Sequence, residues 1–101
     1  MANPPIFGTD GPNTLIGDNG DDTIFGNGGD DILSGLGGND ILTGGSGFDT
    51  LTGGDGADIF RDTASGLNGD TITDLLPGDR IQITDLDLAS ATINQNLSTL
   101  T

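Results

Sequence analysis

Large apolar side chains recur at every ninth residue: Leu15, Ile24, Leu33, Leu42, Leu51 and Phe60. Each is the middle residue of a triplet, in turn Thr-Leu-Ile, Thr-Ile-Phe, Ile-Leu-Ser, Ile-Leu-Thr, Thr-Leu-Thr and Ile-Phe-Arg. Such β-branched, aliphatic and aromatic residues suit strands. In a three-residue strand the middle side chain points to one face and its two neighbours to the other. Six mostly polar, glycine-rich residues separate successive triplets. The pattern therefore predicts six short strands, each giving one side chain to a common core, joined by six-residue turns. A fixed short period marks a chain built by stacking repeats.

Written in register, residues 8–61 form six units without insertion: GTDGPNTLI, GDNGDDTIF, GNGGDDILS, GLGGNDILT, GGSGFDTLT and GGDGADIFR. Position one is Gly throughout (Gly8, Gly17, Gly26, Gly35, Gly44, Gly53), as is position four (Gly11, Gly20, Gly29, Gly38, Gly47, Gly56). Position six is Asn13, then Asp22, Asp31, Asp40, Asp49 and Asp58, and position eight is the apolar column. Position two is Gly only at Gly45 and Gly54.

Composition sharpens this picture. All 16 acidic residues are Asp, two Arg oppose them, and the net charge is −14. Asp favours turns and caps, and 19 Gly supply positions open to positive φ. The charge argues against nucleic acid or an anionic membrane as partner and points to cations. With neither Cys nor His, a disulfide or a zinc site of the usual ligands is excluded. At 101 residues the chain holds one domain. No segment approaches the ~18 apolar residues of a membrane span. The N-terminus lacks the basic and apolar stretches of a cleavable signal peptide.

The four columns match the nonapeptide G-G-x-G-x-D-x-U-x, and over residues 8–61 the chain resembles the RTX calcium-binding repeat family. That resemblance implies an all-β fold, a right-handed parallel β-roll in which two units make one coil. Leu15, Leu33 and Leu51 would then stack in one sheet, opposite Ile24, Leu42 and Phe60 in the other. Position-six carboxylates two units apart would lie about one strand spacing, ~4.8 Å, from each other. Unscreened by a counterion they would repel by roughly 3–4 kcal/mol at an effective dielectric near 20. A divalent ion between the turns reverses the sign. Ca²⁺, which takes six to eight carboxylate and carbonyl oxygens in flexible geometry, fits glycine turns better than Mg²⁺ does.

The expected ligands are Asp22, Asp31, Asp40, Asp49, Asp58 and Asn13, with Asp10, Asn19 and Asp55 of position three. The turn glycines Gly17, Gly20, Gly26, Gly29, Gly35, Gly38, Gly44, Gly47 and Gly56 join them through their backbone. Skip-one bridging among six units gives about four ions. Since the core is thin and the charge high, the metal-free chain is expected to be largely disordered.

Residues 1–7 read as a lead-in and residues 62–101 as a C-terminal β cap for the open end of the solenoid. Thr71-Ile72-Thr73 and residues 80–84 read as strands around the Pro77-Gly78 turn. The pattern D-x-I-x-D-[FL]-x-x-G-D at residues 70–79 resembles the flank that follows RTX repeats in secreted enzymes. Asp70, Asp74 and Asp79 are candidates for one further Ca²⁺, with solvated turn acids as the alternative. Residues 89–101, polar with spaced Ile93, Leu97 and Leu100, read as a frayed end, a secretion-signal remnant or a truncation boundary.

Other chemistries fail on the residues. An EF-hand needs Gly where Thr23 follows Asp22, and a P-loop needs a Lys that the chain lacks. The pairs Asp21-Asp22 and Asp30-Asp31 invite glycoside hydrolysis, yet they recur at the repeat period and belong to the turns. The chain is thus expected to be a non-catalytic, monomeric calcium-binding module of a larger secreted protein, exported by a type I route and folding outside the cell. The alternative is a polysaccharide-binding accessory module, as the resemblance to alginate epimerase modules implies.

Overall fold

The computed structural model of the chain describes residues 4–85. Residues 89–101 lie outside them. Nine short strands follow one another: β1 (Ile6–Phe7), β2 (Thr14–Ile16), β3 (Thr23–Phe25), β4 (Ile32–Ser34), β5 (Ile41–Thr43), β6 (Thr50–Thr52), β7 (Ile59–Asp62), β8 (Thr71–Ile72) and β9 (Arg80–Ile83). One helical turn, α1 (Ala64–Leu67), stands between β7 and β8.

Successive strands go to opposite sheets, ordered β1-β3-β5-β7-β9 and β2-β4-β6-β8, and every pairing is parallel. Two nine-residue units therefore make one coil of a β-solenoid of about four turns. Leu15 pairs with Leu33 and Leu33 with Leu51 in one sheet, and Ile24 with Leu42 and Leu42 with Phe60 in the other. This is the expected stacking. The pleat turns position eight inward, so Ile24, Leu33, Leu42, Leu51 and Phe60 are fully buried.

The core column runs further than the six repeats. Ile6 pairs with Ile24 at the start, while Ile72 pairs with Leu51 and Ile81 with Phe60 at the end. These three and Leu15 are partly buried against the core. The offset from Leu51 to Ile72 is 72 − 51 = 21 residues, where earlier coils advance 18, and α1 occupies the inserted stretch. The nine-residue spacing then resumes, from Gly69-Asp70-Thr71-Ile72 to Gly78-Asp79-Arg80-Ile81. The two strands around Pro77-Gly78 are thus not neighbours; they extend opposite sheets by one coil.

On the outside, residues of neighbouring coils meet in register. Phe7 stacks on Phe25 with ring centroids 5.3 Å apart. Thr52 and Thr73 hydroxyls lie 2.6 Å apart, and Arg61 Nε donates to Gln82 Oε1 at 2.8 Å. Of the outward apolar residues expected from the alternation, Ile32 is exposed, and Phe25, Ile41 and Ile59 are half-buried between neighbouring coils. Among the described residues no helix is long and apolar enough to cross a membrane.

Burial grades along the column, and stability should follow it. Phe60→Ala should cost about 3–5 kcal/mol in denaturant unfolding of the folded chain, and Leu15→Ala, in the partly open first coil, clearly less. Equal losses would contradict this packing.

Candidate metal centre

Each six-residue turn carries its position-six side chain inward, where Asp22, Asp31, Asp40, Asp49 and Asp58 are buried. One carboxylate oxygen of each Asp from Asp31 onward is held by the preceding coil. The N–H of Asn13 donates to Asp31 Oδ1, that of Asp22 to Asp40, that of Asp31 to Asp49 and that of Asp40 to Asp58, each at 2.8 Å. The ladder continues into the last coil, from Asp49 N–H to Asp70 Oδ1 at 2.8 Å and from Asp58 N–H to Asp79 Oδ1 at 2.9 Å. A second ladder runs along position five in the opposite sense. Asp21 accepts from Asn39 N–H, Asp30 from Phe48 N–H and Asn39 from Ala57 N–H, at 2.7–2.9 Å. The paired acids at 21–22 and 30–31 are therefore used in two different ladders between coils.

The other position-six oxygen is the unusual one. Oδ2 of Asp31, Asp40, Asp49, Asp58 and Asp70 is buried and has no hydrogen-bond partner. A buried carboxylate oxygen without a donor is costly, and five in two stacks, Asp31-Asp49-Asp70 and Asp40-Asp58, call for counter-charges between the coils. The glycines of position one explain how the carboxylates fit. A Cβ at Gly17, Gly26, Gly35, Gly44 or Gly53 would overlap the carboxylate of its own repeat, at Asp22, Asp31, Asp40, Asp49 or Asp58. At position four, Gly29, Gly38, Gly47 and Gly56 have positive φ, and a Cβ at each would strike the carbonyl of the glycine one coil earlier, Gly11, Gly20, Gly29 or Gly38. Backbone carbonyls thus face the gaps between stacked turns.

The remaining expected ligands differ in exposure and partners. Asp10, Asn19 and Asp55 are exposed on the turns. Asn13 Oδ1 accepts Thr9 N–H at 2.7 Å, and Asp22 Oδ2 accepts Asp18 N–H at 2.8 Å. In the last coil Asp79 Oδ2 takes Leu76 N–H at 2.9 Å, and Asp74 takes the N–H groups of Gly53 and Gly54, both at 2.8 Å. One residue escaped the sequence reading. Asp62 is 7% exposed, and its carboxylate accepts Gly45 N–H at 2.9 Å and Thr63 N–H at 2.8 Å. Its signal was positional: it stands nine residues after Gly53, where the register calls for glycine. Among the described residues no three acidic side chains gather closely enough to hold an ion alone, so any ion here needs carbonyl oxygens as well.

Burial raises the pKa of these carboxyls. It lifts Asp40 from 3.8 to about 7, the N–H of Asp22 opposing and the carboxylates of Asp58 and Asp22 adding to the rise. Asp49 and Asp70 are pushed to about 6, again mainly by burial. Asp31 and Asp58 move up for the same reason. A carboxyl with a raised pKa in the fold takes up a proton on folding, so acid favours the metal-free fold. That contribution is full below the unfolded pKa and is lost as pH rises through about 6 to 7. In EDTA, β signal in circular dichroism should therefore grow as pH falls from 8 to about 4.5. A flat profile across that window would contradict the buried ionic column.

No curated protein and no solved structure matches the chain. The model of the RTX calcium-binding nonapeptide repeat matches residues 7–42 and 34–61, in four copies. The matched stretch covers more than half of the chain and carries the turns, the glycine columns and four of the five unpartnered carboxylates. The chain belongs to the family of RTX calcium-binding nonapeptide repeats.

Proposed function

We propose that this calcium-binding module folds when Ca²⁺ enters between stacked turns, and that it does so outside the cell as part of a larger secreted protein. The observation that carries the reading is the two stacks of buried, unpartnered Oδ2 atoms, at Asp31, Asp49 and Asp70 and at Asp40 and Asp58, in a chain of net charge −14. These carboxylates would hold the ions, with backbone carbonyls of the turn glycines completing each set. About four ions are bridged by the six repeats. Calcium suits the donors because it accepts many oxygens in flexible geometry, where Mg²⁺ demands a strict octahedron. A bound cation converts carboxylate repulsion between coils into attraction, so the stack closes only in its presence. In a calcium-poor cytoplasm the chain stays unfolded and exportable; in calcium-rich surroundings it folds and stabilises what it is attached to.

Circular dichroism during a titration tests this directly. Adding Ca²⁺ should raise β signal cooperatively, with a midpoint nearer the ~10⁻⁴–10⁻³ M of extracellular modules than that of cytosolic sensors. Mg²⁺ at equal concentration should do much less, and identical spectra in EDTA and millimolar Ca²⁺ at pH 8 would sink the reading. Asp40 has a stacked carboxylate on both sides, while Asn13 closes the other stack, beside Asp31, as a neutral amide. Asp40→Ala should accordingly raise the calcium midpoint more than Asn13→Ala, and equal effects would rule out bridging by stacked turns.

A further inference from the structure

The six turns have two conformations. In the first two, the N–H of position two, Thr9 or Asp18, is donated to the position-six side chain of the same turn, Asn13 or Asp22. These turns are closed on themselves. In the other four, position two is left-handed: Asn27 at φ 68°, Leu36 at 64°, Gly45 at 84° and Gly54 at 83°. There the matching oxygen, Oδ2 of Asp31, Asp40, Asp49 or Asp58, is buried without a partner. Inverting the backbone at position two turns its N–H away from the turn's own carboxylate.

In the last two turns that N–H has a definite new acceptor. Gly45 N–H goes to Asp62 Oδ2 at 2.9 Å, and Gly54 N–H goes to Asp74 Oδ2 at 2.8 Å. Both acids lie in the stretch after the repeats, one coil further along. They take the hydrogen bond that would otherwise satisfy Asp49 and Asp58. This gives buried Asp62 a purpose that a plain turn acid would not have.

The geometry points to position two as the element that decides whether a turn offers its aspartate to a cation, with Asp62 and Asp74 as positioning residues that hold the last two turns open. Residue type sets the grading. Gly takes positive φ freely and Asn tolerates it, whereas Leu36 pays a steric penalty and Thr9 and Asp18 stay closed. The turns at Gly45 and Gly54 should bind most tightly, that at Leu36 less, and that at Asp18 least. This inference rests on the calcium reading above and adds an order to it.

The test is calorimetric titration of the full chain and its variants with CaCl₂. Asp18→Gly removes a negative charge, which by charge alone weakens cation binding; opening the turn should instead raise the count by one Ca²⁺ per chain. Leu36→Gly should lower the midpoint by about tenfold, the ratio that relief of a left-handed L-residue implies. Asp62→Ala should lose one ion while the β signal at saturating calcium is kept, and the Gly45 amide alone among the position-two amides should exchange faster. An unchanged or lower count in Asp18→Gly, or an unchanged midpoint in Leu36→Gly, overturns the role of position two. An unchanged count in Asp62→Ala overturns the role of Asp62. Failure of the unaltered chain to bind calcium overturns this inference together with the function it rests on, whereas the preceding outcomes leave that function standing.

Discussion

Stacking identical parallel turns at one strand spacing forces identical side chains over one another, and here the side chain placed at the heart of each turn is a carboxylate. That superposition governs the rest of the structure. Apolar residues gain from it, since Leu33 over Leu51 and Leu42 over Phe60 form a continuous dry column. Carboxylates lose from it, because burial and like charge act in the same direction and push Asp40, Asp49 and Asp70 upward in pKa. The fold is a balance between two columns built by one period.

The protein's own groups relieve only half of that load. The ladder of position-six N–H groups holds Oδ1 of Asp31, Asp40, Asp49, Asp58, Asp70 and Asp79. Oδ2 is left bare in four repeats and at Asp70. Adding protein donors there would need side chains at positions one and four, where a Cβ already collides with a carboxylate or a carbonyl. The glycines that let the coils approach thus leave no room for a protein side chain as the missing partner.

The ends of the solenoid are handled differently. At the start one carboxylate stack begins with neutral Asn13, bonded to Thr9 within its own turn, and the other with Asp22, bonded to Asp18 within its own. At the far end the stack does not stop with the last repeat; Asp62 at the end of β7 reaches back to Gly45, and β8 and β9 add a coil from which Asp74 reaches back to Gly53 and Gly54. One end is closed by replacing a charge and the other by adding a coil that shares its hydrogen bonds.

Period, strand triplets and core column were legible in the sequence because a nine-residue spacing leaves one geometric solution for Leu15 through Phe60. Which acids stack was equally legible, since register follows from the period. The continuation into Ile72 and Ile81 was not, because a three-residue insertion breaks the count while strand pairing, a contact between residues 21 apart, restores it in space. Asp62 was hidden for the same reason: only the coil that brings it beside Gly45 distinguishes it from any other turn acid. The two turn conformations were also beyond the sequence, as Asn27 and Leu36 share position two with Gly45 and Gly54 yet adopt their left-handed backbone. Local residue preference sets what a turn would choose alone, and the coil stacked above and below it decides what it adopts.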